Sequence, residues 1–324
     1  MSSYAKEKEI AIEAVRKAAL LCEDVRKTIP PAMEKLDKSP VTIADYGSQA
    51  LICHQLKLAF PNDPIVGEED CSELKKPEMK EQLRIITNYV RKHYTSDDVT
   101  EENVLKWIDY GGGEVSQRYW TLDPIDGTKG FLRQDQYAIA LALVENGDVK
   151  LGIMGCPALP DTNGHQGQLF VAVRNEGAYS QTFENNAKPT RLQTVRCDDS
   201  SNFRFAESVE SGHCDQEMQI SVAKKLGITT APIRMDSQAK YGLVASGRAA
   251  LYLRLPNPQK PDYRENIWDH AAGAIIVEEA NGKVTDMNGK KLNFKDNKKM
   301  NDNRGVVVSN GEIHEQVLKV LKEM

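Results

Sequence analysis

The sequence predicts a layered α+β protein, in which an N-terminal antiparallel sheet with helices is followed by a C-terminal α/β subdomain. Between Gln136 and Ser180 the residue pattern is typical of β-strands, and Asn146-Gly147 between two of the runs is a strong signal for a hairpin. After about residue 190 apolar runs alternate with helical stretches, which indicates a second α/β layer. The 324 residues exceed a typical single core, so we expect two packed subdomains, residues 1–190 and 191–324.

The first half is expected to begin with two helices. Apolar residues recur at helical spacing from residue 5 to residue 27, and a second helix should start near Thr42 to Asp45 and end near Phe60. Lys, Glu and Asp then dominate from about residue 72 to residue 105, again with moderate helical spacing. We interpret this span as an inserted helical excursion with one solvent-facing side, and we assign it no chemistry.

Strands are expected to follow the insertion. The run Tyr119-Trp-Thr-Leu122 is typical of a short buried strand. We expect Pro124 to end this strand, because proline fixes φ and lacks a donor for the ladder. The β pattern continues in three runs, residues 137–144, 149–154 and 168–173. In the second half the predicted strands and helices are residues 205–209, 215–226, 239–246, 249–253, 270–280 and 305–309.

Composition excludes several classes of protein. The formal net charge is −5 with acidic and basic residues interspersed, so no basic block indicates non-specific nucleic-acid binding. No apolar run approaches membrane-spanning length, and the first residues lack a signal-peptide core, so we expect a cytoplasmic protein. The six cysteines are scattered without a Cys-x-x-Cys pair, which favours reduced thiols over zinc ligands or disulfides.

The run Asp123-Pro-Ile-Asp-Gly-Thr128 contains most of the candidate functional groups. It places two carboxylates, a turn carbonyl and a hydroxyl within six residues. Hard oxygen ligands at this density suit Mg²⁺, and Gly127 with Thr128 is expected to begin a helix whose free N–H groups can bind an anion. The alternative is an ordinary surface turn, because Asp-Pro and Asp-Gly are common turn dipeptides.

Further segments carry acids that favour the metal interpretation. A predicted strand delivers Glu68 and Glu69 at its end, Asp45 lies near the start of the second helix, and Asp269 stands where another helix begins. Asp269 could instead cap that helix, and Glu69 could be an ordinary surface acid. We do not interpret His270 as a ligand, because a hard-ion site prefers oxygen and a lone His at such a position is more often structural.

Together these segments resemble the signatures of the inositol monophosphatase superfamily of Mg²⁺-dependent, lithium-sensitive phosphatases. The matching signatures are Gly67-Glu-Glu69, the Asp123–Thr128 run and Trp268-Asp-His-Ala-Ala-Gly273, in that order. Segments beyond these are similar to the nucleotide-hydrolysing branch of the superfamily, namely Leu122–Arg133, Glu210-Ser-Gly-His213, Met235–Tyr241 and Leu251–Pro256. The resemblance covers nearly the whole chain and implies the α-β-α-β-α layers of the family.

The resemblance implies a site for two Mg²⁺ ions. The first ion would be held by Glu68, Asp123 and the carbonyl of Ile125. The second would be held by Asp123, Asp126 and Asp269, so that Asp123 bridges the pair. Paired ions of this kind hold the attacking and leaving oxygens of an in-line phosphoryl transfer.

Further features of the site follow from the same resemblance. Thr128, oriented by Asp45, would accept a proton from the attacking water. Gly127 and Thr128 would also contact the substrate phosphate. A third and weaker Mg²⁺ would lie near Glu68 and Glu69. Li⁺ would inhibit by occupying the second Mg²⁺ site with product bound.

The resemblance also implies the substrate. His213, Ser237, Lys240 and Arg254 would contact an adenosine nucleotide and its 5'-phosphate, although each one taken singly could be a solvated surface group. The implied reaction removes the 3'-phosphate from adenosine 3',5'-bisphosphate and gives AMP and phosphate. The 2',5' isomer and the 3'-phosphorylated sulfate donor are implied as further substrates.

Two alternatives stay open. In the same class, the chain could be an inositol polyphosphate 1-phosphatase or an inositol monophosphatase. In a different class, it could be a catalytically idle sensor that binds Mg²⁺ and nucleotide; loss of a metal carboxylate or of Thr128 would indicate this, and all are present. Apart from the small-molecule nucleotide, we expect no partner among nucleic acids or membranes, and we expect a monomer.

Overall fold

The computed structural model describes residues 4–28, 33–34, 40–41, 43–184, 187–199, 201–209, 216–260 and 262–324. The α-helices are α1 Ala5–Thr28, α2 Ile43–Ala59, α3 Lys80–His93, α4 Glu101–Asp109, α5 Thr128–Leu132, α6 Gln216–Lys225, α7 Ala239–Ala245, α8 Ala271–Glu279 and α9 His314–Lys322. The strands are β1 Met33–Glu34, β2 Pro40–Val41, β3 Ile65–Gly67, β4 Arg118–Asp126, β5 Ala138–Glu145, β6 Asp148–Pro160, β7 Gln166–Val173, β8 Gly177–Gln181, β9 Thr190–Arg191, β10 Phe205–Glu207, β11 Ile233–Arg234, β12 Leu251–Arg254, β13 Lys283–Thr285 and β14 Val306–Ser309. Short 3₁₀ helices are Glu73–Lys75, Pro77–Met79 and Ile267–Asp269.

The larger sheet has the strand order β3-β4-β5-β6-β7-β8-β9 and is antiparallel except for the parallel pair β3 and β4. Its β5–β6 hairpin turns through Asn146 and Gly147, whose φ angles are 54° and 79°, as the Asn-Gly pair predicted. Helices α1 and α2 pack on one face of this sheet, and the predicted insertion is helical, with α3 adding Leu83, Ile86 and Val90 to the same core.

Five layers alternate through the described part of the chain. The second face of the larger sheet packs against α7 and α8, and these helices in turn pack on a smaller sheet of order β11-β10-β12-β14-β13. Helices α6 and α9 cover the far face of the smaller sheet. This α-β-α-β-α order confirms the predicted layered fold, while the subdomain boundary near residue 190 stays a prediction. Among the described residues, the helices are too short or too polar to cross a membrane.

The prediction that Pro124 ends its strand is wrong. Strand β4 continues to Asp126, and its register with β5 shifts between Asp123 and Asp126. The N–H of Ile125 donates to Oδ1 of Asp123 at 3.1 Å. A bulge leaves one residue outside the ladder, so a proline there removes no ladder hydrogen bond.

Candidate active site

The turn Asp123–Thr128 connects β4 to α5 through a glycine that the backbone requires. Gly127 has φ 89°, in the left-handed region that glycine adopts without strain. A Cβ on Gly127 would lie 2.9 Å from Cβ of Ser237, so the turn packs directly against the segment before α7. The hydroxyl of Thr128 lies 3.3 Å from the carbonyl oxygen of Ile125. The structure thus brings the turn and the Ser237 segment together.

Carboxylates from distant segments converge on Asp123. The side chain of Asp123 is buried, and its pKa is raised by this burial and then by the charges of Glu68, Asp126, Asp269 and Asp45. Asp45 is buried as well, Glu68 is exposed, and Asp126 and Asp269 are partly exposed. A cluster of like charges around a buried carboxylate is favourable only when protons or cations neutralise it.

The donor set of this acid cluster fits a hard divalent cation. Every predicted side-chain ligand in it offers carboxylate oxygen, and the Ile125 carbonyl at the bulge adds a neutral oxygen. Burial and then the neighbouring carboxylates raise the pKa of Asp123, so positive charge placed beside it would stabilise its ionised form. A divalent ion would supply that charge, so the arrangement supports Mg²⁺ binding.

Gln49, which our sequence analysis missed, holds the backbone of Glu69. Its Oε1 accepts from the N–H of Glu69 at 3.1 Å, and its Nε2 donates to the carbonyls of Glu69 at 2.5 Å and Ile108 at 3.0 Å. Gly67 and Gly111 leave room for this amide, since a Cβ at either position would lie 2.7 Å or 2.5 Å from it. These hydrogen bonds therefore hold in place the backbone that carries the buried side chain of Glu69.

Asp269 caps a helix and also faces the acid cluster. It ends the 3₁₀ helix 267–269, where its Oδ2 accepts from the N–H of Asn266 at 2.9 Å within a capping box. Burial and then the charge of Glu265 raise the pKa of Asp269 to about 7, while the charge of His270 opposes the shift. The capping and the metal interpretations of this residue are therefore compatible.

A second network that sequence reasoning missed lies behind Asp269. Nε of Arg254 donates to Oε1 of Glu265 at 3.1 Å, and Nε2 of His270 lies 3.5 Å from Oε2 of the same carboxylate. Nδ1 of His270 lies 2.7 Å from the hydroxyl of Tyr241. Burial raises the pKa of Glu265, but the charges of Arg254 and His270 outweigh it and lower the pKa to about 2. His270 thus has structural partners, although its ring lies within 4.8 Å of carboxylate oxygens of Glu265 and Asp269.

Ser237 and Lys240 lie beside Asp126 rather than on open surface. Ser237 has φ 69°, and its Oγ accepts from the N–H of Ala239 at 3.1 Å. Lys240 is 3% exposed, and its ammonium donates to the carbonyls of Ser237 at 2.8 Å and Met235 at 3.3 Å. Burial raises the pKa of Asp126, and the charge of Lys240 opposes that shift. Lys240 is therefore not a solvated surface charge.

A cavity of about 370 Å³ opens beside Arg254. Its lining includes Lys129, Arg254, Lys260, Tyr263, Arg264 and Glu265. Four lining side chains are cationic, one is acidic and the others are uncharged, so the cavity suits an anionic ligand with an aromatic or apolar part. His213, the remaining predicted substrate contact, lies outside the described residues.

Comparison with known proteins gives matches along the whole chain. A model of the inositol monophosphatase family matches residues 4–324. A protein of Schizosaccharomyces pombe named 3'(2'),5'-bisphosphate nucleotidase is 42% identical, over 98% of this chain and 95% of its own length. A protein of Oryza sativa with the same name is 41% identical, over 99% of this chain and 94% of its own length. Among solved structures, an IMPase of Thermotoga maritima superposes with a TM-score of 0.66 at 25% identity, covering 98% of this chain and 97% of its own.

Proposed function

The chain belongs to the inositol monophosphatase family, and on that premise we propose that it is a Mg²⁺-dependent phosphomonoesterase acting on adenosine 3',5'-bisphosphate. Members of the family are generally Mg²⁺-dependent, and the two relatives described above are named as bisphosphate nucleotidases. The proposed reaction removes the 3'-phosphate and gives AMP and phosphate. The observation that carries the proposal is the convergence of acids on buried Asp123, next to a cavity whose lining includes four cationic side chains.

The acid cluster holds two Mg²⁺ ions in this proposal. Glu68, Asp123 and the carbonyl of Ile125 are the ligands of the first ion. Asp123, Asp126 and Asp269 are the ligands of the second. When bound, the ions polarise the phosphoryl group, make the attacking water more acidic and neutralise the leaving oxygen. The charges of Glu68, Asp126 and Asp269 all act on Asp123, which supports including its carboxylate among the residues that would hold both ions.

The protein itself accepts the proton and holds the phosphate. The attacking water gives its proton to the hydroxyl of Thr128, whose own proton passes to the carboxylate of Asp45. A threonine alone is a poor base, so Asp45, which is buried within α2, is the final acceptor. Gly127 and Thr128 contact the phosphate that is transferred. The 3.3 Å contact between Thr128 Oγ1 and the Ile125 carbonyl supports a position of this hydroxyl at the edge of the acid cluster.

The cavity beside Arg254 accommodates the nucleoside and its 5'-phosphate. Ser237, Lys240 and His213 complete this part of the site in our proposal, together with Arg254. The four cationic side chains in the lining support a ligand with more than one phosphate. We therefore include the 2',5' isomer and the 3'-phosphorylated sulfate donor as further substrates.

Several finer properties belong to the same proposal. A third, weaker Mg²⁺ lies near Glu68 and Glu69, and millimolar Li⁺ inhibits by replacing the second Mg²⁺. We propose that the protein acts as a monomer in the cytoplasm. Light scattering of the purified chain tests the first of these two points, and a dimer at micromolar concentration would contradict it.

The test measures phosphate release from adenosine 3',5'-bisphosphate and from inositol 1,4-bisphosphate in parallel, with Mg²⁺ alone and with Mg²⁺ plus Li⁺. We expect a strong preference for the nucleotide, inhibition by Li⁺, and a loss of about a hundredfold or more in Asp126→Asn. Asp148→Asn on the β5–β6 hairpin is the matched control, because Asp148 pairs with Lys150 and Lys291 on the surface. Preference for the inositol would overturn the substrate assignment, and no release from either compound would favour the idle sensor.

A further inference from the structure

Within the described part of the chain, helix α8 begins without a cap from the side chain of its own N-cap residue, His270. The first N–H groups of a helix have no partner inside the helix, so groups outside it must bond them. The N–H of Gly273 donates to Oε1 of Gln238 at 3.3 Å, a residue 35 positions earlier in the chain. Gln238 therefore caps, from a distance in sequence, the helix that follows Asp269.

The other polar groups of Gln238 bond to both sides of the acid cluster. Its Nε2 donates to the carbonyl of Trp268, next to Asp269, at 2.9 Å. Its backbone N–H donates to Oδ2 of Asp126 at 2.5 Å. The side chain is 2% exposed, so water does not readily replace these bonds. A single residue thus connects the segments that carry Asp126 and Asp269.

We propose that Gln238 is a positioning residue that sets the relative placement of Asp126 and Asp269, and thereby the affinity of the acid cluster for its second cation. The inference rests on the proposed function, in which these two carboxylates share that cation. Groups that orient metal ligands contribute strongly to metal affinity even though they do not touch the metal. Because Ser237 and Lys240 flank Gln238, the segment that orients the ligands also carries the proposed nucleotide contacts.

Loss of the Gln238 amide should leave the fold intact, because packing holds the body of α8. The run Ile275–Val277 is fully buried. The ring of Tyr241 on α7 lies so close to α8 that a Cβ on Gly273 would be 2.4 Å from it. The consequence of losing the amide is therefore confined to the first turn of α8 and to the 3₁₀ helix before it.

The test compares Mn²⁺ binding by the metal-free wild type, Gln238→Met and Gln168→Met, measured by calorimetry without nucleotide. Mn²⁺ accepts oxygen ligands as Mg²⁺ does. Gln168 is also buried, at 5% exposed, and its Nε2 donates to the carbonyl of Pro160 at 2.8 Å, so the control loses an amide outside the acid cluster. In Gln238→Met we expect one of the two tighter binding events to weaken about tenfold or more and the other to stay within about twofold.

Three outcomes would overturn the inference. The first is that Gln238→Met binds Mn²⁺ as tightly as the wild type does. The second is that Gln238→Met loses the same affinity at both binding events, and the third is that Gln168→Met loses as much affinity as Gln238→Met. A double variant with Asp269→Asn should bind Mn²⁺ no more weakly than Asp269→Asn alone, since both changes act on the same cation. If Gln238→Met does not fold, Gln238→Asn serves instead, because its amide is one methylene shorter and cannot reach both partners.

The two hypotheses fail in different ways. A wild type that binds Mn²⁺ but releases no phosphate from the nucleotide would refute the proposed function, while the binding comparison would still decide the role of Gln238. A wild type with the expected activity, together with unchanged Mn²⁺ binding in Gln238→Met, would refute only the positioning role. In an active enzyme, the positioning role further predicts that added Mg²⁺ restores most of the kcat of Gln238→Met, with the KM for nucleotide little changed.

Discussion

The substitution Asp269→Asn should stabilise the protein in the absence of metal. Burial and the charge of Glu265 raise the pKa of Asp269 from 3.8 to about 7, so at pH 8 the folded chain carries a carboxylate that ionises far more easily when unfolded. Three pKa units correspond to about 4 kcal/mol, and the partial exposure of Asp269 reduces our expectation to about 2–3 kcal/mol. Asparagine keeps the volume of the side chain and an acceptor for the N–H of Asn266.

Thermal unfolding in EDTA at pH 8 measures this gain in the stability of Asp269→Asn over the wild type. An unfolding entropy of about 2.1 cal/mol/K per residue gives about 0.7 kcal/mol/K for the chain, so the Tm should rise by about 3–4 °C. A carboxyl group whose pKa is higher in the folded state lowers stability as pH rises from its unfolded pKa to its folded pKa. The gain should therefore be largest above pH 7 and shrink as the pH falls toward 4. With Mg²⁺ the order should reverse, because only the wild type keeps its full cation site.

A lower Tm for Asp269→Asn than for the wild type in EDTA at pH 8 would refute this reasoning, because Asp269 would then be stabilised as a carboxylate without any cation. Asp161→Asn is a control of the opposite sign. The hydrogen bond from His165 lowers the pKa of Asp161, so removing this charge should leave stability unchanged or reduce it. Parallel assays of phosphate release should show turnover lost in Asp269→Asn and retained in the control.

Other substitutions test other parts of the site. Lys240→Met keeps the bulk of the side chain but removes the buried ammonium, so steady-state kinetics should show a larger rise in KM for the bisphosphate than fall in kcat; equal losses in kcat and kcat/KM would instead assign Lys240 to the transition state. In urea titrations, Gly127→Ala should lower the free energy of unfolding by about 1–2 kcal/mol more than Gly164→Ala does. Both glycines have φ near 90°, but only a Cβ at position 127 would contact Ser237. Equal losses would show that Ser237 moves aside at no cost. Burial and a nearby lysine lower the pKa of His314 to about 4, so the free energy of unfolding should fall by about 2 kcal/mol from pH 6.5 to 4. His314→Gln should make this decrease smaller. The same decrease in His314→Gln as in the wild type would assign the pH dependence to other groups.

Local sequence patterns were enough to predict the antiparallel sheet of the first half, the α/β character of the second half and the acidic turn, while the five-layer order was implied by the family resemblance. Apolar periodicity located α1 and α2, and the Asn146-Gly147 pair located the β5–β6 hairpin, because these signals depend on neighbouring residues only. The Asp123–Thr128 run could be recognised because its oxygen donors lie within six residues. Pro124 was misjudged because pairing with β5 extends β4 through a bulge to Asp126, which the local pattern does not reveal.

The residues that orient the site could not be predicted in this way. Gln49, Gln238 and Glu265 lie 20, 35 and 11 positions from the partners they hold. For Gln49 and Glu265, neither spacing nor composition indicates a role different from that of a surface amide or acid, and although Gln238 lies in the recognised segment Met235–Tyr241, its sequence position does not reveal which groups it bonds. Their roles follow from tertiary packing, which brings α2, α7 and the segment before α8 around the turn.

The amide of Gln49 lies between Gly67 and Gly111, so these three positions should constrain one another's substitution. A methyl group on either glycine would collide with an amide that three hydrogen bonds prevent from moving. A shorter residue at position 49 would in turn remove the hydrogen bonds that the amide makes to the N–H and carbonyl of Glu69. Each change alone should therefore destabilise the protein, whereas a small residue at position 49 should reduce the cost of an alanine at position 67. Substitutions at these positions should therefore show strong epistasis, and they should be exchanged as a group when sequences diverge.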